Sequence, residues 1–166
     1  MKRFPLAPMD ALYRGTSLFL LALPLAFLGA AFAVPGLQKL IFLATAAFVS
    51  VIYAWIWFYW RPSAFRLEAS SLVLEFPRRE TVLDATAVTR VHRYASYAQF
   101  IEEWQFGIRI GAGGLFGAFG WLKTGKGTLQ MYLSRSTDLV LLEFHDRRPL
   151  LITPEDAERF VACFQP

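Results

Sequence analysis

Residues 16–60 read TSLFLLALPLAFLGAAFAV-PGLQK-LIFLATAAFVSVIYAWIWFYW and contain two long runs without a charged residue. The runs are 19 and 21 residues long, and each is long enough as a helix to cross ~30 Å of hydrocarbon. Pro35-Gly36 indicates a chain reversal between the two runs. The stretch therefore predicts a two-helix transmembrane hairpin at 16–60, with a cytoplasmic N-terminus at 1–15 before it and a folded domain at 61–166 after it.

Two other structures are compatible with so apolar a stretch. A signal peptide would end near Ala31-Phe32-Ala33, which has the spacing of a cleavage site. A signal core is usually shorter than the first run, however, and a second apolar run follows it directly. A buried hairpin of a soluble protein would need a much larger chain to cover two helices that lack a polar face. The transmembrane hairpin fits both the length and the order of the segments.

The distribution of Lys and Arg predicts the orientation of the hairpin, because such residues concentrate on the cytoplasmic side of short loops. The turn between the two runs holds only Lys39, whereas most of the nearby cations lie outside the hairpin. These flanking cations are Lys2, Arg3 and Arg14 before the first run, and Arg61, Arg66, Arg78 and Arg79 after the second. We therefore expect a multi-pass protein of the bacterial inner membrane with both termini in the cytoplasm.

Composition excludes several classes of function for the remaining residues. The formal charge of +4 is concentrated in residues 1–60, which contribute +3, so that residues 61–166 contribute only +1. A nearly neutral domain argues against nucleic-acid binding, which usually requires a basic face. The single cysteine, Cys163, excludes an internal disulfide.

After Arg61 the chain changes to short segments with the alternation typical of β-strands. The clearest alternation is Trp104, Phe106, Ile108 and Ile110, and weaker strands are predicted at 72–76, 88–94, 129–133 and 139–144. The last segment has the start signals of a helix, because Thr153 can cap it and Pro154 suits its first turn. Residues 61–166 are therefore predicted to form a small antiparallel barrel or sandwich with a C-terminal amphipathic helix.

Several of these segments resemble those of the bacterial pleckstrin-homology-like family. The resemblance implies a helix-capped barrel of about seven antiparallel strands, joined to one or two membrane spans, and no enzymatic activity. The phosphoinositide binding of eukaryotic relatives is not carried over, because fold does not imply function. The matching motifs are Ile108-Arg109-Ile110, Gly114-Leu115-Phe116-Gly117, Phe119-Gly120, Leu139-Val140-Leu141 and Thr153-Pro154-Glu155-Asp156.

The Gly-rich run from Gly111 to Gly127 has three interpretations. Residues 120–126 match the first part of a phosphate-binding loop, but Gly127 stands where Ser or Thr should follow the lysine, and a strand rather than a helix comes next. No nucleotide binding is therefore predicted. The run fits a flexible or tightly bent loop between strands. It also displays apolar and basic side chains that could contact a membrane surface or a partner protein, and these are Leu115, Phe116, Phe119, Trp121, Lys123 and Lys126.

No residues suggest catalysis, a metal site or a cofactor. His92 and His145 lack nearby ligand residues in the sequence, and Glu102-Glu103 are expected to point to opposite faces of a strand. For a bound anion, the candidates are Arg109 and Arg135, together with the two lysines of the Gly-rich run.

The sequence therefore predicts a non-enzymatic binding or assembly module at the inner membrane. We expect its partners to be the lipid bilayer and other membrane protein subunits or further copies of the chain, as in an accessory subunit. The alternative is a sensor of an anionic lipid or ligand at the cytoplasmic face of the membrane. A lipid sensor should bind anionic vesicles in a salt-sensitive manner, whereas an assembly module should not require them.

Overall fold

The computed structural model describes residues 1–164, in which two long apolar helices are joined to two β-sheets and two short helices. The helices are α1 (Ala11–Ala33), α2 (Gly36–Trp55), α3 (Tyr97–Trp104) and α4 (Ala157–Ala162), and a π-helical turn (Ile56–Trp60) extends α2. The strands are β1 (Lys2–Pro5), β2 (Ala64–Leu67), β3 (Ser71–Glu75), β4 (Glu80–Asp84), β5 (Val88–Ser96), β6 (Ile108–Gly113), β7 (Ala118–Thr124), β8 (Gly127–Leu133), β9 (Thr137–Phe144) and β10 (Leu150–Ile152).

The strands form a sandwich of two sheets, with the orders β1-β2-β3-β4 and β5-β9-β10-β8-β7-β6. This confirms the predicted mainly-β domain that follows two apolar helices and ends in a helix. The sheets contain ten strands rather than about seven, and β10 pairs in parallel with β8 rather than antiparallel. Because β8 and β9 run in opposite directions, a strand that lies between them must be parallel to one of the two.

Helices α1 and α2 form a helical hairpin whose surface is almost entirely apolar. Both are long and apolar enough to cross a membrane, and only 17 % and 6 % of their most apolar windows are buried. The buried residues are few: Tyr13, Ser17, Pro24 and Ala31 in α1 and Ala46 in α2. So much exposed apolar surface indicates membrane association, since its exposure to water would be unfavourable.

Helix α1 begins at Ala11, before the apolar run, because Asp10 caps it. Asp10 Oδ1 accepts a hydrogen bond from the Tyr13 amide at 2.9 Å, and Oδ2 accepts bonds from the amide and hydroxyl of Ser136 at 2.8 and 2.7 Å. Burial favours a raised pKa for Asp10, but these hydrogen bonds outweigh it and lower the pKa. One carboxylate therefore ties α1 to the turn between β8 and β9.

The residues before Asp10 are part of the β domain, although they precede the helical hairpin in the chain. Strand β1 pairs with β2, and the Ala7 amide donates a hydrogen bond to the Thr153 carbonyl at 2.9 Å. The buried Ser134 hydroxyl donates to the Ala7 carbonyl at 2.6 Å. The chain thus enters the sandwich, leaves it to form the helices and returns to it at β2.

The six-stranded sheet is apolar on both faces. One face packs against the four-stranded sheet and α4 around Phe65, Phe119 and Phe160, all fully buried. The other face packs against α3 and the start of α1 through Phe100 and Tyr13. The first 13 residues and α3 therefore complete the core of the domain.

Helix α3 lies where the sequence suggested the beginning of a strand. Ser96 caps the helix by accepting a hydrogen bond from the Gln99 amide at 3.2 Å, and Phe100 stacks on Trp104 with ring centroids 5.9 Å apart. The predicted strand from Trp104 therefore begins only at Ile108. The prediction that Glu102 and Glu103 lie at a strand start is wrong, since both belong to α3.

Tyr94 of β5 connects α3 to the sheet. Its hydroxyl donates to Glu103 Oε2 at 2.7 Å and accepts from Trp104 Nε1 at 3.2 Å. Burial and the bond to Glu103 raise the pKa of Tyr94 to about 12, and the same bond lowers the pKa of Glu103. The ionised carboxylate is thus the form that the folded state prefers.

The Tyr94→Phe substitution should lower the free energy of unfolding by about 1–2 kcal/mol at pH 7, because it leaves the Trp104 indole without its acceptor. The folded-state pKa of Glu103 lies below its ordinary value of 4.5. The substitution also removes the hydrogen bond from Tyr94 to the ionised Glu103 carboxylate. This second part of the loss is complete above pH 4.5 and disappears as the pH falls through the folded-state pKa of Glu103. Urea unfolding of the full chain in detergent, repeated from pH 7 to pH 3, measures how the loss depends on pH, and Tyr97→Phe is the control substitution. A loss independent of pH would contradict this account.

The Asp10→Ala substitution should destabilise the protein by roughly 2–4 kcal/mol, because it removes a helix cap and two charge-assisted hydrogen bonds. Thermal and urea unfolding of the full chain in detergent micelles would measure this loss. Asp146→Ala is the matched control, since Asp146 is exposed in the turn between β9 and β10. Equal stability of the two variants would show that Asp10 does not hold the helix to the domain.

Candidate functional site

The Gly-rich run forms the β6–β7 hairpin and the start of β8, and only residues 114–117 form a loop at its tip. The expectation of one bent loop from Gly111 to Gly127 is therefore corrected. Gly111 and Gly120 face each other across β6 and β7 with φ angles of 142° and 129°. A Cβ atom on Gly111 would lie 3.0 Å from the Trp60 ring and would clash with the Phe119 carbonyl. Gly111 therefore lets the π-helical turn lie close against the sheet, and Gly120 lets the β6 backbone approach β7 closely.

The tip of the β6–β7 hairpin docks on the helical hairpin. Ser17 donates a hydrogen bond to the Gly114 carbonyl at 3.0 Å and accepts one from the Phe116 amide at 2.7 Å. Thr16 also donates to the Gly114 carbonyl, at 3.0 Å. The Phe116 ring meets Trp57 edge to face at 4.7 Å. Much of the Gly-rich segment is therefore engaged by the chain's own helices.

Two of the predicted contact residues are in the core. Leu115 is 3 % exposed and Phe119 is 0 % exposed, so neither can touch a membrane or a partner. Phe119 lies opposite Ala112 and packs in the core between the two sheets, whereas Trp121, two residues further along the same face, lies outside that core beside Trp60. Phe116 is half-buried against Trp57.

The other predicted contact residues are exposed but differ in their surroundings. Trp121 is 38 % exposed and packs edge to face on Trp60 at 5.9 Å. Lys123 is exposed on the same face of the sheet as Trp121. Lys126 forms an ion pair with Glu103 at 3.6 Å and lies over the Trp104 ring. Trp121 and Lys123 are therefore the members of the predicted set that remain available for contact.

The structure does not bring the predicted anion-contact residues together. Arg135 donates to the carbonyls of Thr137 and Pro154 at 3.0 and 3.1 Å and lies 3.7 Å from Asp138, so it stabilises the turns around it. Arg109 is exposed and faces Leu122 across the β6–β7 pair, whereas Lys123 faces Ile108. Because neighbouring positions along a strand point to opposite faces, Arg109 and Lys123 lie on opposite sides of the sheet.

The exposed edge of the six-stranded sheet is a candidate site that sequence reasoning missed. Strand β6 is the last strand of the sheet, and its side chains Ile108 and Ile110 are 70 % and 56 % exposed. Phe106, just before the strand, is 83 % exposed, and Trp121 lies directly opposite Ile110. We call Phe106, Ile108 and Ile110 the β6 edge. Their alternation identified the strand, but only the sheet order shows that nothing in residues 1–164 covers it.

Within residues 1–164, His, Cys, Asp and Glu do not form a cluster of three or more that could hold a metal ion. His92 packs against the Tyr94 ring at 4.4 Å, and His145 Nδ1 lies 3.1 Å from the Ala87 carbonyl oxygen. Both histidines thus take part in packing or turn contacts.

Comparison with known families matches residues 65–165 to the bacterial PH domain. The chain belongs to the bacterial PH domain family. The match includes strands β2–β10 and α4, and it confirms the resemblance inferred from the motifs. No curated protein and no solved structure matches the chain. Membership of a family of PH domains supports a role as a binding module, and strand β1 and the helical hairpin lie outside the matched residues.

Substitution of two aromatic residues of β7 tests which of them belongs to the core of this PH domain, because a buried ring should contribute more to the free energy of unfolding than an exposed one. Phe119→Ala should lower the free energy of unfolding by about 3–5 kcal/mol, because Phe119 is completely buried. Trp121→Ala should lower it by roughly 1–2 kcal/mol, because that ring is partly exposed and loses mainly its contact with Trp60. Urea unfolding of the full chain in micelles compares the two. Similar losses would mean that Trp121 is also a core residue.

Proposed function

We propose that this chain is a non-enzymatic binding module of the bacterial inner membrane. In this proposal the helical hairpin spans the bilayer with both termini in the cytoplasm, as the flanking Lys and Arg residues favour. The PH domain, residues 61–166 together with β1, lies on the cytoplasmic face. The observation that carries the proposal is the β6 edge, an edge strand with exposed isoleucines on a domain that packs against the helical hairpin.

An exposed edge strand offers unpaired backbone N–H and C=O groups to another chain, and proteins usually protect such edges with charge, proline or a covering segment. On β6 the side chains of Ile108 and Ile110 do not protect the edge in this way, since they are apolar and largely exposed. Addition of a partner strand to this edge would satisfy the backbone and bury both isoleucines. The partner we propose is a segment of another membrane protein, for which this chain acts as an accessory subunit.

Membrane anchoring strengthens such a contact. Two proteins confined to one bilayer meet at a high effective concentration, so that a weak strand pairing can hold them together. The docking of the β6–β7 tip on Ser17 and of Trp121 on Trp60 limits the freedom of the PH domain relative to the helices. The β6 edge is therefore presented at a constant distance from the hairpin, which favours a partner of defined geometry.

Site-specific photo-crosslinking in intact membranes tests the proposal. A photoreactive amino acid at Ile108 should give a discrete adduct with a partner, whereas the same group at Val82 should not. Val82 is the matched control because it is 65 % exposed on β4, an edge strand of the other sheet. An Ile110→Lys substitution should reduce the Ile108 adduct about tenfold if a buried apolar contact worth roughly 1.5 kcal/mol is lost.

Three results would contradict the assembly function. The first is equal labelling at Ile108 and Val82, which would show that β6 is no more occupied than another edge. The second is an Ile108 adduct that Ile110→Lys leaves unchanged. The third is exclusive labelling of lipid at Ile108, which would mean that the β6 edge faces the bilayer rather than a protein.

A further inference from the structure

A cleft of about 280 Å³ lies where the second apolar helix meets the PH domain. Trp55, Tyr59 and Trp60 at the end of that helix form one wall, and Trp121 of β7 forms the other. Trp55 and Tyr59 stack with ring centroids 4.4 Å apart, and Trp60 meets Trp121 edge to face at 5.9 Å. Tryptophan and tyrosine at the end of a membrane span lie at the depth of the lipid headgroups. The cleft therefore opens at that depth when the helices span a bilayer.

The remaining lining side chains of the cleft are polar. Gln130 Nε2 donates a hydrogen bond to the Tyr132 hydroxyl at 2.6 Å, and both side chains line the cleft beside Arg79. Arg79 Nε donates to the Tyr59 carbonyl at 2.9 Å, and its guanidinium lies 4.3 Å from the Phe76 ring centroid. These two contacts hold the guanidinium through Nε and one planar face, and the guanidinium also lies beside the Tyr132 side chain. Its remaining terminal N–H groups can then serve an anionic acceptor.

Positive charge at this end of the helix is not neutralised by the chain. Arg61, Arg78 and Arg79 lie over the rings of Trp57, Phe58 and Phe76, and within residues 1–164 none of the three forms an ion pair.

Arg61 is the most enclosed of these three cations, and its Nε is buried without a hydrogen-bond partner in the described chain. Several cations of the two sheets, by contrast, are paired with carboxylates, as in Arg3–Glu75 at 2.8 Å and Arg93–Asp138 at 2.7 Å. The exit of the membrane helix thus gathers three arginines whose charge no carboxylate within residues 1–164 compensates. Such a distribution attracts anionic headgroups.

We propose that the cleft binds the headgroup of an anionic phospholipid. The phosphate accepts hydrogen bonds from Arg79, the glycerol part lies against Gln130 and Tyr132, and the acyl chains follow the apolar surface of α2 past Trp55. The volume of about 280 Å³ suits a headgroup rather than a whole lipid, since sites that enclose drug-sized ligands measure roughly 300–1,000 Å³.

The proposal rests on the membrane-spanning hairpin of the proposed function, but it does not depend on a protein partner at the β6 edge. Failure of the lipid site would leave the crosslinking result at Ile108 unchanged, and an unoccupied β6 edge would leave the lipid site unchanged. The two experiments therefore fail independently.

Native mass spectrometry of the full chain, released from nanodiscs of phosphatidylcholine and phosphatidylglycerol in equal amounts, tests the site. The wild-type chain should retain phosphatidylglycerol in preference to phosphatidylcholine. Arg79→Gln should reduce that retention about tenfold, and Tyr132→Phe, which removes only a hydroxyl group, about threefold. Arg159→Gln should have no effect. Arg159 is the matched control because it is an exposed arginine on α4 and does not line the cleft.

Thermal unfolding of each variant verifies that the fold is retained, and Tyr132→Phe carries the test if Arg79→Gln proves unstable. A second arm adds soluble glycerol 3-phosphate to the chain in a zwitterionic detergent. Binding that requires Arg79 would assign recognition to the phosphate ester alone, whereas no soluble binding together with lipid retention would assign it to the intact lipid. Equal loss of phosphatidylglycerol in Arg79→Gln and Arg159→Gln, or no preference in the wild type, overturns the proposal.

Discussion

The Asp10 carboxylate is the contact on which the arrangement of the two parts of this protein depends. One oxygen caps the first turn of α1, and the other binds the backbone and side chain of Ser136 in the β domain. Because β1 precedes Asp10 and pairs with β2 beyond the helices, the chain is tied to the sandwich on both sides of the helical hairpin. The hairpin is therefore an insertion into the fold, and its base has a fixed position.

That fixed base explains why the candidate surfaces cluster where they do. The π-helical turn packs against Gly111 of β6, so that Trp60 meets Trp121 and the aromatic cleft forms between helix and sheet. The same strands form the edge of the six-stranded sheet and expose Ile108 and Ile110. A bilayer around the helices would thus hold both the cleft and the β6 edge close to its surface.

The elements that sequence reasoning missed share a physical cause, because each is stabilised by contacts distant in the chain. Strand β1 has only four residues, and its pairing with β2 spans the whole helical hairpin. Strand β7 contains Gly120, which weakens a strand unless a neighbour must approach closely, and here the backbone of Ile110 and Gly111 does. In α3, aromatic residues at helical spacing overlap with an alternating pattern that is typical of a strand. The helix forms because it packs its aromatic residues against the six-stranded sheet.

The sequence by itself determined the two apolar helices, the β domain with its C-terminal helix and the family, because hydrophobic runs, alternation and capping residues are local signals. It could not distinguish the buried Phe119 from the exposed Trp121, since both are apolar residues of one Gly-rich run. The packing of the two sheets made that distinction, because Phe119 belongs to the core between them and Trp121 does not. The sheet order left β6 at an edge, and the docking of the helix end on the domain brought Arg79 beside Tyr59. Those relations join residues far apart in the chain, and only the tertiary structure decides which of them face each other.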